Sequence, residues 1–396
     1  MKEYFLYFII FVLMIIAVYP NSFLPSYRDE RVYVECGLSY VVNFSAPYSC
    51  NFEHPPLSKY LIGFFTLLGF SRFLYLFFMF GSSFLVFVLV RCLLGSDLLS
   101  LLTGFFLVLD TVFLNSHRFL LLDPPAVFFL LLSLYFLFSN SSLIASAVFF
   151  GLSVACKLSV APYFIVLAYY IYWRFSSSLR ESLKHLMIFV FVASSTYLIT
   201  YVADLRLGPY AIIQHHIDMF SYMSWRHGFS LPIALNGLMK LASKIEVWRY
   251  GGNLTLVFSS LDSSMVLINS TLTQGSGSYV YVGVGLGSIL WYLMIPSLLI
   301  NTYYVLTRES GINDVFVCLS GWVLLITVLP GPLDWYYVNT LPLMYVNVAL
   351  LIKRFVKSRE SLLKYIIATL LILQSLITTL TLTGLIPYKI EFFLPR

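Results

Sequence analysis

Charged side chains are scarce in this sequence. Of its 396 residues only 11% are Asp, Glu, Lys or Arg, whereas 60% are hydrophobic, and 36 Phe and 29 Tyr contribute most of the 18% aromatic share. Soluble domains carry roughly a quarter charged residues, and a surface with far fewer exposes larger apolar patches than soluble monomers tolerate. The scarcity of charge therefore excludes a soluble fold and predicts a protein whose main solvent is lipid.

Features of several other protein classes are missing as well. The five cysteines have no metal-site spacing, which argues against a zinc module. There is no internal repeat, no low-complexity tract and no basic stripe interleaved with aromatic residues of the kind that binds nucleic acid. The formal net charge of +6 instead fits loops that face anionic lipid. Cys36 and Cys50 lie in one polar segment and could form a disulfide if that segment is external.

Long apolar runs are what the chain has in abundance. A bilayer core needs about 20 apolar residues per helix, and hydropathy predicts about eleven spans. The first, 4–19, is interpreted as uncleaved because no convincing cleavage site follows it. Residues 57–70 are apolar but cannot join the next span in a single crossing, so they are expected to form a helix on the membrane surface. The other spans are expected near 72–91, 97–115, 119–138, 142–156, 160–174, 186–203, 284–306, 311–329, 336–352 and 362–384.

The distribution of basic residues predicts the orientation. With the N-terminus inside, Arg91, Arg308 and the cluster within 353–364 fall in cytoplasmic connections, as the positive-inside rule requires. Two large external loops then remain, 20–58 and 204–283. We therefore predict an all-α polytopic membrane protein in which residues 1–396 form a single domain.

The second external loop contains two local patterns. Residues 211–247 have apolar positions at near-helical spacing, which predicts amphipathic surface helices. The stretches 253–258 and 264–268 are rich in β-branched and apolar residues and flank a Ser-rich turn, which predicts a small β-hairpin.

Several charged residues cluster at the predicted external face. Asp29 and Glu30 follow the first span, while His54 and Lys59 lie at the far end of the first loop. A carboxylate at the edge of the hydrocarbon and beside arginines can be tuned into a general base. Adjacent side chains point in different directions, so Asp29 and Glu30 should not share one role. The alternative is a solvated charge run that caps a helix end.

Further charges recur at the external ends of other spans. Arg72 opens the second span, Arg118 and Asp123 stand between the third and the fourth, and Lys157 separates two short spans. Each could be an interface residue whose charged end reaches water, and a buried Lys157 would need an anion. Together, opposite the acidic first loop, they indicate an anionic ligand at the membrane boundary, for which a lipid phosphate is the obvious candidate.

The order of these motifs resembles the protein O-mannosyltransferase family. The match comprises Asp-Glu after the first span, His-Pro-Pro-Leu-x-Lys at 54–59, an Arg opening the second span, Arg-Phe-Leu-Leu-Leu-Asp at 118–123 and Gly-Leu-x-x-x-Cys-Lys at 151–157. Segments 216–222 and 334–342 resemble the family's second external loop and late Tyr-x-x-Pro region more loosely. The family's Trp-Pro motif has no clear counterpart, which leaves the acceptor open.

This resemblance implies the C-type glycosyltransferase fold, in a short form similar to the prokaryotic members. It implies inverting transfer of mannose from a polyprenyl (dolichyl) phosphate donor to Ser or Thr hydroxyls of a protein. The base that takes the hydroxyl proton would be Asp29, and Glu30 would orient the sugar or the acceptor. The implied site comprises catalytic Asp29 and Glu30, donor-phosphate-binding Arg72, Arg118 and Lys157, and supporting His54, Lys59 and Asp123.

Neither a cofactor nor a metal is expected, although the Asp29 and Glu30 carboxylates would suit a divalent ion. The expected partners are the lipid-phosphate sugar donor, a protein or other hydroxyl acceptor, and membrane lipids, with no nucleic acid. The expected location is the plasma membrane with the site outside, or the endoplasmic reticulum in a eukaryote. One alternative is a transferase that moves aminoarabinose or another sugar to a lipid or glycan. The other is a transporter, which usually places ionisable groups near the bilayer midplane instead.

Overall fold

The computed structural model describes residues 28–139, 142–175, 178–226, 245–250, 253–259, 265–267, 288, 290–307, 310–328, 337–356, 365, 369–370 and 372–376. Apolar, aromatic and small residues dominate its helices, as the low charge predicts. The helices are α1 (Arg28–Val42), α2 (Leu57–Leu67), α3 (Ser71–Leu94), α4 (Asp97–Leu109), α5 (Thr111–Ser116), α6 (Asp123–Phe138), α7 (Leu143–Cys156), α8 (Phe164–Phe175), α9 (Leu179–Ile199), α10 (Ala211–Arg226), α11 (Trp291–Thr307), α12 (Ile312–Val328) and α13 (Leu341–Phe355). Short 3-10 helices cover Pro47–Ser49, Leu158–Tyr163 and Val202–Leu207, and strands β1 (Ile245–Tyr250), β2 (Asn253–Ser259) and β3 (Met265–Leu267) form one sheet.

Two helices in the described part of the chain, α3 and α9, are long and apolar enough to cross a membrane. The other described helices have fewer than 18 residues, so the expected number of eleven spans is not reached by this measure. The expected first span, 4–19, lies outside the described residues, as does most of 362–384. Together with the low charge of the chain, α3 and α9 indicate a membrane protein.

Asp110 interrupts the span that was expected over 97–115. The chain forms α4 up to Leu109 and restarts as α5 at Thr111, because Asp110 Oδ1 accepts the backbone N–H groups of Val112 (2.9 Å) and Phe113 (3.1 Å). An acidic side chain that accepts the first N–H groups of a helix starts that helix. The prediction of one continuous helix was wrong at this position.

Residues 28–58, the described part of the segment that was expected to be the first external loop, are more regular than expected. Helix α1 occupies a stretch that was interpreted as polar loop, and it packs closely on α2. Gly37 and Gly63 meet at the crossing, where a Cβ on either residue would clash with the backbone of the other helix. The absence of side chains therefore brings the two helices into direct contact.

The beginning of α2 agrees with the helix expected over 57–70. Lys59 and Ile62 are buried against the protein, while Phe64 and Leu67 are exposed. A disulfide joins Cys36 of α1 to Cys50, with 5.6 Å between the Cα atoms. The pairing that the sequence left open is therefore present.

In the segment that was expected to be the second external loop, α10 agrees with the start of the amphipathic region expected at 211–247. Strands β1, β2 and β3 pair antiparallel in that order, and the expected hairpin corresponds to β2 and β3. The helical expectation was wrong at 245–247, where β1 begins. The β1 segment, Ile-Glu-Val-Trp-Arg-Tyr, is rich in β-branched and aromatic residues, which are enriched in strands.

Candidate functional site

The short turn at residues 117–122, between α5 and α6, is held in place by charged side chains from two other helices. Glu30 of α1 accepts a hydrogen bond from the backbone N–H of Leu120 (3.3 Å). Arg72 of α3 donates from Nη1 to the backbone carbonyl of Arg118 and forms an ion pair with Glu30 through Nη2. The guanidinium thus connects the acidic start of α1 to the Arg-Phe-Leu-Leu-Leu-Asp motif.

Uncharged side chains fix the remainder of the same turn. The Tyr75 hydroxyl donates to the carbonyl of Leu121, and the Ser58 hydroxyl donates to the carbonyl of Leu122 (3.2 Å). Buried backbone groups need such partners because water cannot reach them. Four side chains from α1, α2 and α3 therefore define the conformation of the turn.

Asp29 and Glu30 differ in burial, as their neighbouring positions on α1 predict. Successive helix residues point about 100° apart, so one carboxylate can face the protein while the other faces outward. Glu30 is buried against Arg72, whereas Asp29 is only half-buried. The more accessible carboxylate is the one that the sequence predicted to be the base.

Asp123 and Lys157 form a second charged cluster directly after the turn. Lys157 Nζ lies 2.6 Å from each carboxylate oxygen of Asp123. Asn339 donates from Nδ2 to Asp123 Oδ1 (2.6 Å) and also to Ser159 Oγ (2.9 Å). The buried cation therefore has the anion that its position required, and α6, α7 and the start of α13 are linked through it.

The two charged clusters are close to each other. The Tyr75 hydroxyl is within electrostatic range of the charges of Glu30, Arg72 and Asp123. The structure thus brings together Glu30, Arg72 and the 118–123 motif, with Lys157 behind Asp123. The Arg118 side chain is buried as well.

Lys59 and His54 hold the end of the first loop. The Lys59 ammonium donates to the backbone carbonyls of Asn51 (2.6 Å) and His54 (2.9 Å). Burial lowers the pKa of Lys59 to about 7, and the Glu53 and Asp204 charges oppose that shift. The His54 ring meets Tyr33 of α1 edge to face, with 6.3 Å between ring centroids. These contacts hold the end of the first loop against α1 and α2, and supporting roles for Lys59 and His54 in catalysis stay a prediction.

Several residues of this region were not recognised in the sequence. Asp110 accepts hydrogen bonds through Oδ2 from Trp291 Nε1 (2.6 Å) and from the Tyr345 hydroxyl (2.7 Å), which joins α11 and α13 to the α4–α5 break. An acidic residue within an apolar run was the available signal. Asn339 was included only within a loosely matched segment, and nothing local indicated that it contacts Asp123.

An apolar cavity of 370 Å³ lies between α7, α8 and α9. Phe150, Phe164, Phe189 and Ala193 contribute to its wall, and Tyr197 also lines it. As for metal ligands, no group of three His, Cys, Asp or Glu side chains that could hold an ion is found among the described residues.

Comparisons with known proteins support the fold alone. No family model and no curated protein matches this sequence. The apo form of the Archaeoglobus fulgidus oligosaccharyltransferase is similar in structure, with a TM-score of 0.52 and 12% identity over 98% of this chain and 56% of that chain. The same enzyme tethered to an acceptor peptide containing the NVT sequon is also similar, with a TM-score of 0.50 and 13% identity over 90% of this chain and 50% of that chain.

The chain spans about half the length of these solved structures. At this level of identity the likeness concerns the path of the backbone rather than individual site residues. This chain therefore shares the C-type glycosyltransferase fold with an archaeal oligosaccharyltransferase.

Proposed function

We propose that this protein is a membrane glycosyltransferase that moves mannose from a polyprenyl (dolichyl) phosphate to the hydroxyl of a Ser or Thr in a protein acceptor. The reaction is an inverting displacement at the anomeric carbon. The bond from that carbon to the phosphate oxygen breaks while the bond to the acceptor oxygen forms. The hydroxyl proton goes to a carboxylate, and the lipid phosphate leaves as an anion.

The observation that carries this proposal is the Glu30–Arg72 pair over the 117–122 turn, with the half-buried Asp29 beside it. A leaving phosphate needs positive charge more than it needs a general acid, and a fixed guanidinium supplies such charge with little reorganisation. In this proposal Asp29 is the base and Glu30 keeps Arg72 in place. Arg118 and Lys157 add positive potential, while His54, Lys59 and Asp123 hold the surrounding segments.

The fold and the apolar cavity are consistent with a lipid-linked donor. The archaeal enzyme with the same fold is named as an oligosaccharyltransferase, and one of its structures holds an acceptor peptide. The cavity between α7, α8 and α9 suits an isoprenoid chain because aromatic and aliphatic side chains dominate its wall. The proposed reaction takes place at the outer face of the membrane, or in the lumen of the endoplasmic reticulum.

The test uses the full chain in membranes or nanodiscs with labelled polyprenyl-phosphate mannose and a Ser/Thr-rich acceptor peptide. We expect Asp29→Asn to lower the transfer rate by about 10²- to 10⁴-fold, the usual contribution of a general base, because the amide cannot take up the proton. The thermal unfolding midpoint should stay at the wild-type value because Asp29 is only half-buried.

The matched control is Glu35→Gln, further along α1, where the exposed Glu35 pairs with Arg31. This variant should retain wild-type turnover. Undiminished transfer by Asp29→Asn would contradict the catalytic assignment. Transfer from donors of another sugar, but not from polyprenyl-phosphate mannose, would instead change the proposed substrate.

A further inference from the structure

Helix α10 is attached to the rest of the protein along one face. His215 and Met219, four residues apart, are both fully buried and therefore lie on one side of the helix. His215 Nδ1 lies 2.6 Å from Asp204 Oδ2, and its Nε2 lies 2.9 Å from the backbone carbonyl oxygen of Phe52. Because these contacts fix the rotation of α10 about its axis, the directions of its other side chains are fixed as well.

The opposite face of α10 is an exposed apolar stripe formed by Ile213, Ile217 and Phe220. These residues occupy positions i, i+4 and i+7, which line up along a helix, and each is more than half exposed. Gln214 and Ser221 are exposed too, and they lie about 80–100° around the helix from Ile213. The helix thus has an apolar side, a polar side and a side that faces the protein.

Contacts with α9 place α10 at the level where that helix ends. His216 Nε2 lies 3.0 Å from the Tyr197 hydroxyl in the last turn of α9. The Tyr201 hydroxyl, just after α9, lies 4.0 Å from Met219 Sδ. Since α9 is long and apolar enough to cross a membrane, its end marks the boundary between lipid and water, and α10 lies at that boundary.

The apolar stripe of α10 also continues the exposed apolar surface of α9. Phe191 and Ile199 of α9 are exposed, and the 3-10 helix that follows exposes Leu205 and Leu207. In a chain whose main solvent is lipid, the exposed apolar side chains of a spanning helix face lipid. The same environment therefore reaches from α9 along the 3-10 helix to α10.

The first loop adds to this surface. Val42 and Phe44 are exposed, and the exposed Arg206 of the 3-10 helix donates from Nη1 to the backbone carbonyl of Phe44. An arginine at such a position can lay its apolar stem along the lipid while its charged end stays among the headgroups. The loop and the 3-10 helix are thus joined at the edge of the apolar surface.

We propose that the apolar stripe of α10 is inserted into the surface of the lipid bilayer, with its polar side in water. An apolar face beside a polar one is typical of helices that lie on membranes, with the apolar face about 5–10 Å into the boundary between headgroups and acyl chains. A bilayer fits this face better than a second copy of the chain because the stripe is continuous with the lipid-facing surface of α9 and lies at the level of its end.

Insertion of the stripe would hold the loop at residues 43–56 close to the membrane. His215 of α10 contacts the carbonyl of Phe52 in this loop, and Cys50 of the loop is joined to Cys36 of α1. Because α1 carries the carboxylates of the candidate site, that site would open at the lipid surface, where a lipid-linked donor arrives. This consequence rests on the proposed function, whereas the membrane contact itself does not.

The experiment measures the depth of single nitroxide labels on α10 by electron paramagnetic resonance, with the full chain in nanodiscs of phosphatidylcholine and phosphatidylglycerol. The background variant is Cys92→Ser, because Cys92 is the exposed free cysteine while Cys156 and Cys318 are buried. Labels are placed on the stripe by Ile217→Cys or Phe220→Cys. Collisions with oxygen, which dissolves in lipid, are compared with collisions with a water-soluble nickel chelate.

The matched controls are Gln214→Cys and Ser221→Cys, on the polar side of the same helix, and Phe191→Cys, on the exposed side of α9. We expect the ratio of oxygen to nickel collisions to be severalfold higher at Ile217→Cys and Phe220→Cys than at the two polar positions. It should approach the ratio at Phe191→Cys. All five positions are exposed, so the variants should keep the unfolding midpoint of the background, and the two stripe positions give independent readings.

Equal ratios at the stripe and at the polar positions would put the stripe in water and overturn the proposal. A stripe label that neither reagent reaches would also overturn it, because protein from a second copy or from another segment of the chain would then cover the stripe. The measurement uses no sugar donor. If the stripe is in lipid but no sugar is transferred, the membrane contact stands and the proposed function fails.

Discussion

Two ion pairs flank the 117–122 turn, and they differ in how much of each cation reaches solvent. The Arg72 side chain is 25% exposed while its partner Glu30 is 2% exposed. In the other pair, Lys157 is 11% and Asp123 is 3% exposed. Part of the Arg72 side chain thus reaches solvent, whereas Lys157 is almost entirely enclosed.

Similar charges around one turn can therefore have separate tasks. The Lys157 ammonium lies 2.6 Å from both oxygens of Asp123, so its charge is compensated inside the protein, and little of the side chain is exposed to a ligand. Arg72 has a planar fork of donors and can keep Glu30 while it meets an anion. We therefore expect Lys157 to matter most for stability and Arg72 for use of the donor.

The largest expected effect on stability comes from Lys157→Met. Removing one partner of a buried ion pair leaves an uncompensated charge, and typically costs about 3–5 kcal/mol. The unfolding midpoint of the variant in detergent should therefore fall sharply. The matched double variant Lys157→Met/Asp123→Leu should lose less than the sum of the two single changes because neither charge remains. If Lys157→Met left the unfolding midpoint unchanged and raised the Michaelis constant for the donor, Lys157 would serve donor use rather than stability, contrary to this expectation.

The next effect is expected for Arg72→Lys. Lysine keeps the charge but cannot reach both Glu30 and the carbonyl of Arg118, so a charge-assisted contact worth about 1.5 kcal/mol is lost. The Michaelis constant for the lipid-phosphate donor should rise about tenfold, the equivalent of about 1.4 kcal/mol. Arg91→Lys, in a half-exposed pair with Asp97 at the other end of α3, is the control. Equal donor kinetics for both variants would contradict a phosphate contact at Arg72.

Much of this arrangement could be predicted from the sequence. The apolar runs predicted helices at α3, α6, α7 and α9, and the β-branched stretches predicted the hairpin of β2 and β3. The spacing of the charged motifs also brought Glu30, Arg72 and the 118–123 segment to one face. Local composition determines these features, and a hydropathy profile reports local composition directly.

Features that depend on distant partners could not be predicted in this way. Helix α1 has no strong apolar face, and the Gly37–Gly63 contact with α2 becomes visible only when both helices are in place. Asn339 reaches Asp123 across 216 positions of the sequence. His215 reaches Phe52 across 163 positions. No local pattern indicates such contacts, so the hydrogen bonds of His215 with Asp204 and Phe52 could not be predicted.

The smallest effect is expected at the contact between the first loop and α10, where Tyr48 donates from its hydroxyl to Asp218 Oδ2 (2.6 Å). Hydrogen bonds from Tyr48 and Gln214 lower the pKa of Asp218, so they stabilise the fold above the ordinary pKa of an Asp and are lost as the pH falls through the lowered value. Tyr48→Phe should lower the unfolding midpoint slightly at pH 6 and not at all in strong acid. Tyr210→Phe, at an exposed tyrosine just before α10, should have no effect at either pH. A Tyr48→Phe deficit of the same size at both pH values would show that ring packing, rather than the bond to Asp218, connects Tyr48 to α10.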